Sequence, residues 1–301
     1  MSETLNLVNP KDSLSCKYEI SKFPDGQQSL KVITPINEIN KHVTIKSRFN
    51  SFQDLELIVC ATQALRGIGV KEISLYIPYC LGGRSDRKFS EGGINYIKDV
   101  VAPIINSQNY HKVKIMDPHS DVLEACINNF EKVNTNKLID FVLKDYFIDI
   151  KGVIKIDYSK LLLLSPDAGA YKKIYGVAEY MGYKGDIIVA SKYRNIETGK
   201  IEKTIVPFPN NDFLDKDIFI IDDICDGGRT FIEIAKEIKN NKKFVGKIYL
   251  IVTHGIFSNW FDSLSEYVDG IYCTNSVKDI EPATDCPLIG GQSYVKQLNV
   301  F

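Results

Sequence analysis

Six short, continuously apolar runs alternate with segments of helical spacing, and no other feature restricts the fold of this chain so strongly. Residues 73–79, 112–116, 161–164, 186–190, 217–221 and 247–252 are strand-sized and rich in β-branched, aliphatic and aromatic side chains. They lack the in-out alternation of a sheet with one wet face, so they suit parallel strands covered on both sides. Between them, 50–67, 171–181 and 230–238 carry apolar residues at helical intervals. In the last of these, Phe231, Ile234, Ala235 and Ile238 share one face and the charges share the other. Strand-helix alternation of this kind predicts an α/β fold, with mostly parallel sheets flanked by helices and right-handed crossovers.

The length of 301 residues suits two such domains. A hinge is expected near Lys151-Gly152, after the charged stretch 143–146, giving domains 1–151 and 152–301, with roughly the last 20 residues able to return to the first. Thirty-seven Lys and Arg balance 38 Asp and Glu, a net charge of −1 that excludes a nucleic-acid coat while leaving room for a local anion pocket. The longest apolar runs fall far short of the ~20 residues that cross a bilayer, and the first residues lack the pattern of a signal peptide. A cytoplasmic protein that engages neither membrane nor nucleic acid is expected. The seven cysteines are scattered, odd in number and never spaced C-x-x-C, so reduced thiols are expected rather than disulfides or zinc. Cys225 lies in a segment of interest, with nothing in the sequence to show a role for its thiol.

Ligands of parallel α/β sheets collect beyond the carboxyl ends of the strands, so the residues after each strand carry the functional information. The richest segment runs from Asp217 through Asp222, Asp223, Asp226, Gly227, Gly228, Arg229 and Thr230 into the amphipathic helix. The glycines allow backbone N–H groups to converge on an anion, the helix dipole adds partial positive charge, and Thr230 offers a hydroxyl. Paired carboxylates are poor phosphate ligands but good acceptors for a sugar diol or for water on a divalent cation. Diol acceptors beside a phosphate cradle describe a ribose 5-phosphate site. The plainer reading is an acidic turn that caps a helix.

This loop resembles the phosphoribosyl-pyrophosphate motif shared by type I phosphoribosyltransferases and ribose-phosphate pyrophosphokinases, and other segments are similar to the latter family. Lys22-Phe23-Pro24-Asp25-Gly26-Gln27 resembles its Phe-Ser-Asp-Gly-Glu adenine loop. The segment from Tyr79 to Arg84-Ser85-Asp86-Arg87-Lys88 resembles its Tyr-Ala-Arg-Gln-Asp-Arg-Lys stretch, which contacts ATP. Met116-Asp117-Pro118-His119-Ser120-Asp121 resembles Val-Asp-Leu-His-Ser-Asp, Ser165-Pro166-Asp167-Ala168-Gly169 resembles Ser-Pro-Asp-x-Gly, and Ser191-Lys192-Tyr193-Arg194 resembles the start of the catalytic flexible loop. These matches keep the family's order from residue 22 to 230.

The resemblance implies two phosphoribosyltransferase-like (type I) domains, the first holding ATP and the second the ribose phosphate. It implies Mg²⁺-dependent transfer of the β,γ-diphosphate of ATP to the anomeric hydroxyl, with Lys192 and Arg194 catalytic. Phe23, Asp25, Gln27, Arg84, Asp86, Arg87, Lys88 and His119 fall to ATP, and His119 and Asp167 to the metal. Asp222, Asp223, Asp226, Gly227, Gly228, Arg229 and Thr230 fall to the ribose phosphate. A homo-oligomer, dimer-based or hexameric, follows from the family's shared adenine site. Each residue also has a plainer reading: Phe23 either stacks on adenine or fills core, Lys192 and Arg194 are cations on an extended loop, and His119 is a structural group at a strand end. The polar segment 195–200 suits a lid.

Four departures bear on the acceptor. Gly227 stands where the family has a hydroxyl, Arg229 where it keeps glycine, extra residues 80–83 precede Arg84, and Gln27 replaces an acid. The chain also ends short of the usual C-terminus. Virally encoded proteins similar to this family pyrophosphorylate ADP-ribose on a route to NAD, so either ribose 5-phosphate or ADP-ribose is expected as acceptor. A phosphoribosyltransferase and a non-catalytic regulatory subunit are the competing functions.

Overall fold

The structure is a computed structural model. It describes all residues except 1–2, 14–15, 36, 38, 40, 149–151, 195–200, 209–212, 282–283 and 290–291, with the backbone alone described at 192–194, 201–203, 289 and 292. The chain forms two compact units, Met1–Asn134 with Val300–Phe301, and Thr135–Asn299.

In the first unit the strands are β1 (Glu3–Asn6), β2 (Tyr18–Lys22), β3 (Gln28–Val32), β4 (His42–Lys46), β5 (Glu72–Tyr76), β6 (Val113–Met116) and β7 (Phe130–Val133). The helices are α1 (Phe52–Gly67), α2 (Ala102–Ser107) and α3 (Val122–Cys126). The sheet runs β1-β4-β5-β6-β7 with every pairing parallel, while β2 and β3 form an antiparallel hairpin. A reciprocal cap starts α1: Ser51 Oγ accepts from the Asp54 N–H at 3.2 Å and the Asp54 carboxylate accepts from the Ser51 N–H at 2.9 Å. Its Leu55, Ile58, Ala61 and Leu65 join the same buried core as Val43, Ile45, Ile73 and Leu75 of the sheet.

The second unit comprises α4 (Asn136–Phe147), β8 (Leu161–Ser165), α5 (Tyr171–Met181), β9 (Ile187–Val189), β10 (Ser191–Arg194), β11 (Ile201–Ile205), β12 (Asp217–Cys225), α6 (Arg229–Lys239), β13 (Ile248–Gly255), α7 (Asp262–Ser265), β14 (Gly270–Thr274), β15 (Leu288–Ile289), β16 (Gln292–Ser293) and β17 (Val295–Leu298). Its sheet is all parallel in the order β17-β14-β13-β12-β8-β9, and two antiparallel pairs, β10-β11 and β15-β16, stand apart from it. Leu161, Leu163, Phe219 and Ile221 bury one face of that sheet, and Leu162, Leu164, Ile218 and Ile220 the other, as continuously apolar strands require. Among the described residues no helix is long and apolar enough to cross a membrane.

The division between units lies 17 residues before the expected hinge, at Asn134/Thr135 rather than Lys151/Gly152. The charged stretch that suggested a linker is the last turn of α4. That helix turns Leu138, Ile139, Val142 and Leu143 into the core of the second unit and puts its charges outward. The Tyr146 hydroxyl donates to Asp217 Oδ2 at 2.6 Å, and the Tyr272 hydroxyl to Asp145 Oδ2 at 2.8 Å, fixing α4 to the amino end of β12 and the middle of β14. At the other terminus, β17 pairs with β14, so Val300 and Phe301 alone belong to the first unit, where the Phe301 ring lies near Tyr76 and under the Arg48 guanidinium. All seven cysteines are free thiols.

The placement of α4 is testable. Ile139→Ala should destabilise the second unit by about 2–5 kcal/mol, the range for emptying a buried aliphatic site. Native-state hydrogen exchange should show the loss at β8 and β12 amides while β4 and β5 amides keep their protection. Equal loss in both sheets would contradict the division.

Candidate functional site

Asp222 and Asp223 lie within a strand rather than in a loop, because β12 continues past its apolar segment. Pairing of Asp222 with Val252, Ile224 with His254 and Cys225 with Gly255 on β13 draws it out to Cys225. Strand geometry sends neighbouring side chains to opposite faces, and accordingly Asp223 is buried while Asp222 is partly covered. The two still interact: the Asp223 N–H donates to Asp222 Oδ1 at 2.9 Å, and Lys173 Nζ, from the first turn of α5, lies 3.6 Å from Asp223 Oδ1. Burial, then the hydrogen bond and charge of Asp223, push the Asp222 carboxyl up to about 8, with Lys173 acting weakly the other way. The pair thus holds one proton near neutrality. It offers an acid and a carboxylate side by side, a set able to donate to one sugar oxygen and accept from its neighbour.

The phosphate half follows at once. Gly228 has φ +76°, and the Leu264 side chain lies 3.0 Å from where a Cβ would stand, so the turn admits glycine there and nothing larger without strain. Phe231 and Ile232 donate their N–H groups to the Gly228 carbonyl. The N–H groups of Gly227, Arg229 and Thr230 have no acceptor among the described residues, which leaves a converging set of donors at the start of α6. Ser258 Oγ donates to Asp226 Oδ1 at 2.7 Å, so Asp226 is held by the loop after β13. Arg229 is exposed, at the first position of α6. Cys225 is fully buried in the core, and burial raises its thiol far above the ordinary range, which favours a packing role.

Asp167 follows β8, the strand beside β12. Its Oδ1 accepts from the Ala170 N–H at 3.1 Å, so it also shapes the entry to α5. Lys192 and Arg194 lie on β10, an antiparallel strand instead of the expected extended loop. Lys192 stands opposite Thr204, and the register slips between Tyr193 and Arg194, which breaks the simple two-residue repeat assumed from the sequence. Their side chains, and the lid segment 195–200, lie outside the described residues.

The nucleotide residues expected from the sequence all fall at the carboxyl edge of the first sheet. Phe23, Asp25 and Gln27 form the turn of the β2-β3 hairpin. There the Phe23 N–H donates to the Gln27 carbonyl at 2.9 Å and the Gln27 N–H to Asp25 Oδ1 at 3.1 Å. Phe23 is 52% exposed, which removes its reading as core. Gln28 Nε2 donates to the Gln53 carbonyl at 2.7 Å, tying this turn to the start of α1 and so to the end of β4. The extra residues before Arg84 make two successive turns, with Gly82 (φ +77°) pressed against the Tyr96 ring. Arg84, Arg87 and Lys88 are exposed beyond them; Arg87 Nε lies 4.0 Å from Asp86 Oδ1 and its guanidinium over Phe89. His119, after β6, is exposed and follows Asp117, a buried carboxylate held at φ +43°. Asp117 is thus a left-handed, buried carboxylate just beyond the end of β6.

His119 belongs to the first unit and Asp167 to the second. Among the described residues no three His, Cys, Asp or Glu side chains gather as a metal site. A hollow of about 750 Å³, lined by Tyr146, Tyr249, Tyr272 and Tyr294, opens at the amino ends of the second sheet, away from this chemistry. Sequence reading passed over the loop after β13, whose Ser258 and Asn259 touch Asp226 and Gly227. Its polar residues carry no periodicity, and only the neighbouring strand order brings them to the site.

The shared proton has a consequence for stability. Asp222 stays protonated in the folded chain up to about pH 8, whereas in the unfolded chain it ionises near about 3.9. Its contribution to stability is therefore complete below the unfolded value and lost progressively as pH rises through the folded one. Thermal melts from pH 5 to 8.5 should show Asp222→Asn gaining on the wild type as pH increases. Parallel profiles would mean that Asp222 is ionised in the folded protein.

Residues 131–256 match the phosphoribosyl transferase domain. The chain is 28% identical to a ribose-phosphate pyrophosphokinase of Pyrococcus furiosus, over 86% of its own length and 85% of that protein's. It is 26% identical to one of Pyrococcus abyssi, over 90% of its own length and 85% of that protein's. In fold it matches the phosphoribosylpyrophosphate synthetase of Mycobacterium smegmatis with a TM-score of 0.72 at 16% identity, covering 94% of this chain and 86% of that one. The chain is thus similar, over nearly its full length, to proteins named ribose-phosphate pyrophosphokinase, it carries a phosphoribosyl transferase domain, and its fold is that of a phosphoribosylpyrophosphate synthetase.

Proposed function

We propose that the protein transfers the β,γ-diphosphate of ATP to the anomeric hydroxyl of a ribose 5-phosphate moiety and releases AMP. The observation that carries this reading is the junction of β12 and α6, where a proton-sharing acid pair stands directly before a cradle of unengaged N–H groups. A ribose 5-phosphate presents both complements, a 2,3-diol and a dianion, on one small molecule. A phosphoribosyltransferase needs that junction alone. The first unit, with its exposed Phe23 turn and its cationic Arg84–Lys88 loop, supports a second, nucleotide substrate.

In the reaction the anomeric oxygen attacks the β-phosphorus. The bond from that phosphorus to the oxygen bridging to the α-phosphorus breaks, AMP leaves with that oxygen and its electron pair, and the hydroxyl proton passes to solvent. Alignment and charge neutralisation dominate such a transfer. The acid pair orients the sugar by its diol, the turn after it anchors the 5-phosphate, and Lys192 and Arg194 neutralise charge that grows on the diphosphate. Mg²⁺ would supply further neutralisation of the ATP phosphates, with His119 of the first unit and Asp167 of the second each a candidate ligand. Gly227 is packed against Asn259, and Arg229 sets an exposed cation beside the cradle that suits a further phosphate, so ribose 5-phosphate and ADP-ribose are both acceptors to test. The family's adenine site also implies a homo-oligomer.

Incubation with ATP, Mg²⁺ and each acceptor separately should yield AMP with at least one of them, and failure with both would remove the reading. Lys192→Ala should then lower kcat by at least about tenfold, the effect of losing roughly 1.4 kcal/mol of transition-state stabilisation, with ATP affinity little changed. Unchanged turnover would remove Lys192 from the mechanism, and a regulatory subunit would show no turnover in either form.

A further inference from the structure

Five described residues other than glycine hold a left-handed backbone, and two of them, Phe257 (φ +46°) and Trp260 (φ +51°), lie three positions apart in the loop after β13. Bulky aromatic residues rarely adopt this conformation, and it persists only where the surroundings impose it. Phe257 and Phe261 are buried and root the loop in the core. From the loop after β14, Lys278 reaches across: its Nζ lies 4.3 Å from the centre of the Trp260 ring and donates to the Phe257 carbonyl oxygen at 3.5 Å. One ammonium group therefore grips both left-handed residues. Trp260 is 51% exposed, so its ring is held by the cation on its face more than by burial. Lys278 is placed in turn by Gln297 of β17, whose Nε2 donates to the Lys278 carbonyl at 3.0 Å and the Thr274 carbonyl at 3.2 Å.

The same loop bears on the turn before α6. Ser258 Oγ donates to Asp226 Oδ1 at 2.7 Å, and Asn259 Nδ2 lies 3.5 Å from the Gly227 carbonyl oxygen. A Cβ on Gly227 would come within 2.9 Å of Asn259 Nδ2, so a side chain at that position has no room and the turn is braced from outside. We infer that Lys278 is a positioning residue for the phosphate turn. By holding Phe257 and Trp260 it keeps Ser258 and Asn259 against Asp226 and Gly227, and so keeps the N–H groups of Gly227, Arg229 and Thr230 converged on one anion. Lys278 acts through the loop and touches no substrate. The inference rests on the diphosphate-transfer reading above only for the identity of that anion, the 5-phosphate of the acceptor.

Two readouts test it. In calorimetry, Lys278→Met should weaken ribose 5-phosphate binding roughly three- to tenfold, the worth of one cation on an aromatic face. Lys278→Arg, which keeps the charge over the ring, should restore most of the loss. Ser258→Ala, which breaks the last link, should weaken binding at least as much as Lys278→Met. In a Trp260→Leu background Lys278→Met should add less than about twofold, since the two residues act as one unit. In turnover, Lys278→Met should raise KM for the acceptor with kcat and KM for ATP unchanged, a split that a general loss of stability would not produce. Circular dichroism melts verify that each variant folds. Binding unmoved by Lys278→Met or by Ser258→Ala, no rescue by arginine, additive effects of Lys278 and Trp260, a fall in kcat, or no ribose 5-phosphate binding by the wild type would each overturn the inference. Binding that responds as expected without AMP release from any acceptor would uphold it and defeat the diphosphate-transfer reading.

Discussion

The site depends on the continuation of β12 beyond its hydrophobic segment. Four apolar residues, Ile218–Ile221 with Phe219 among the largest buried side chains, seat the strand in the core. The ladder to β13 then holds four more residues in line, two of them acids. Without that ladder the carboxylates would repel each other into solvent. With it they are desolvated, drawn together and made to share a proton, and Lys173 on α5 secures the inner one. The same register delivers Gly227 and Gly228 to the edge of the sheet, where the chain must reverse into α6. In the proposed function, ribose recognition and phosphate recognition both rest on one strand and its partner.

The two units repeat one solution with different chemistry. In each, a parallel sheet buried on both faces leaves its carboxyl edge for ligands. The edge of the first carries cations and an exposed aromatic turn; the edge of the second carries acids and a donor-rich turn. That division suits two substrates of opposite demand, a polyanionic nucleotide and a sugar with hydroxyls to orient. A net charge of −1 results from the sum of these local clusters and describes neither.

What could be read from residues alone follows the strength of local pattern. β8, β12 and β13 were legible because their apolar runs are long for their setting, and α6 because its apolar face is clean. β4 was not, since His42–Lys46 alternates and sits beside polar residues, and β14 begins on a glycine. The charged end of α4 drew the expected hinge too late in the chain because its two charges, Lys144 and Asp145, mask an apolar stripe that only tertiary packing uses. The acid pair was found by residue type, yet its placement on a strand came from pairing with β13, a non-local contact. Trp260 gave no signal at all: its meaning lies in a backbone dihedral and in what its loop touches.

The most direct measurement is a crystal structure of the protein with ribose 5-phosphate bound. The account predicts the phosphate oxygens within hydrogen-bond distance of the Gly227, Arg229 and Thr230 N–H groups, and the 2,3-diol on Asp222 and Asp223. A sugar phosphate seated elsewhere, with the acid pair and the turn before α6 still unengaged, would contradict it.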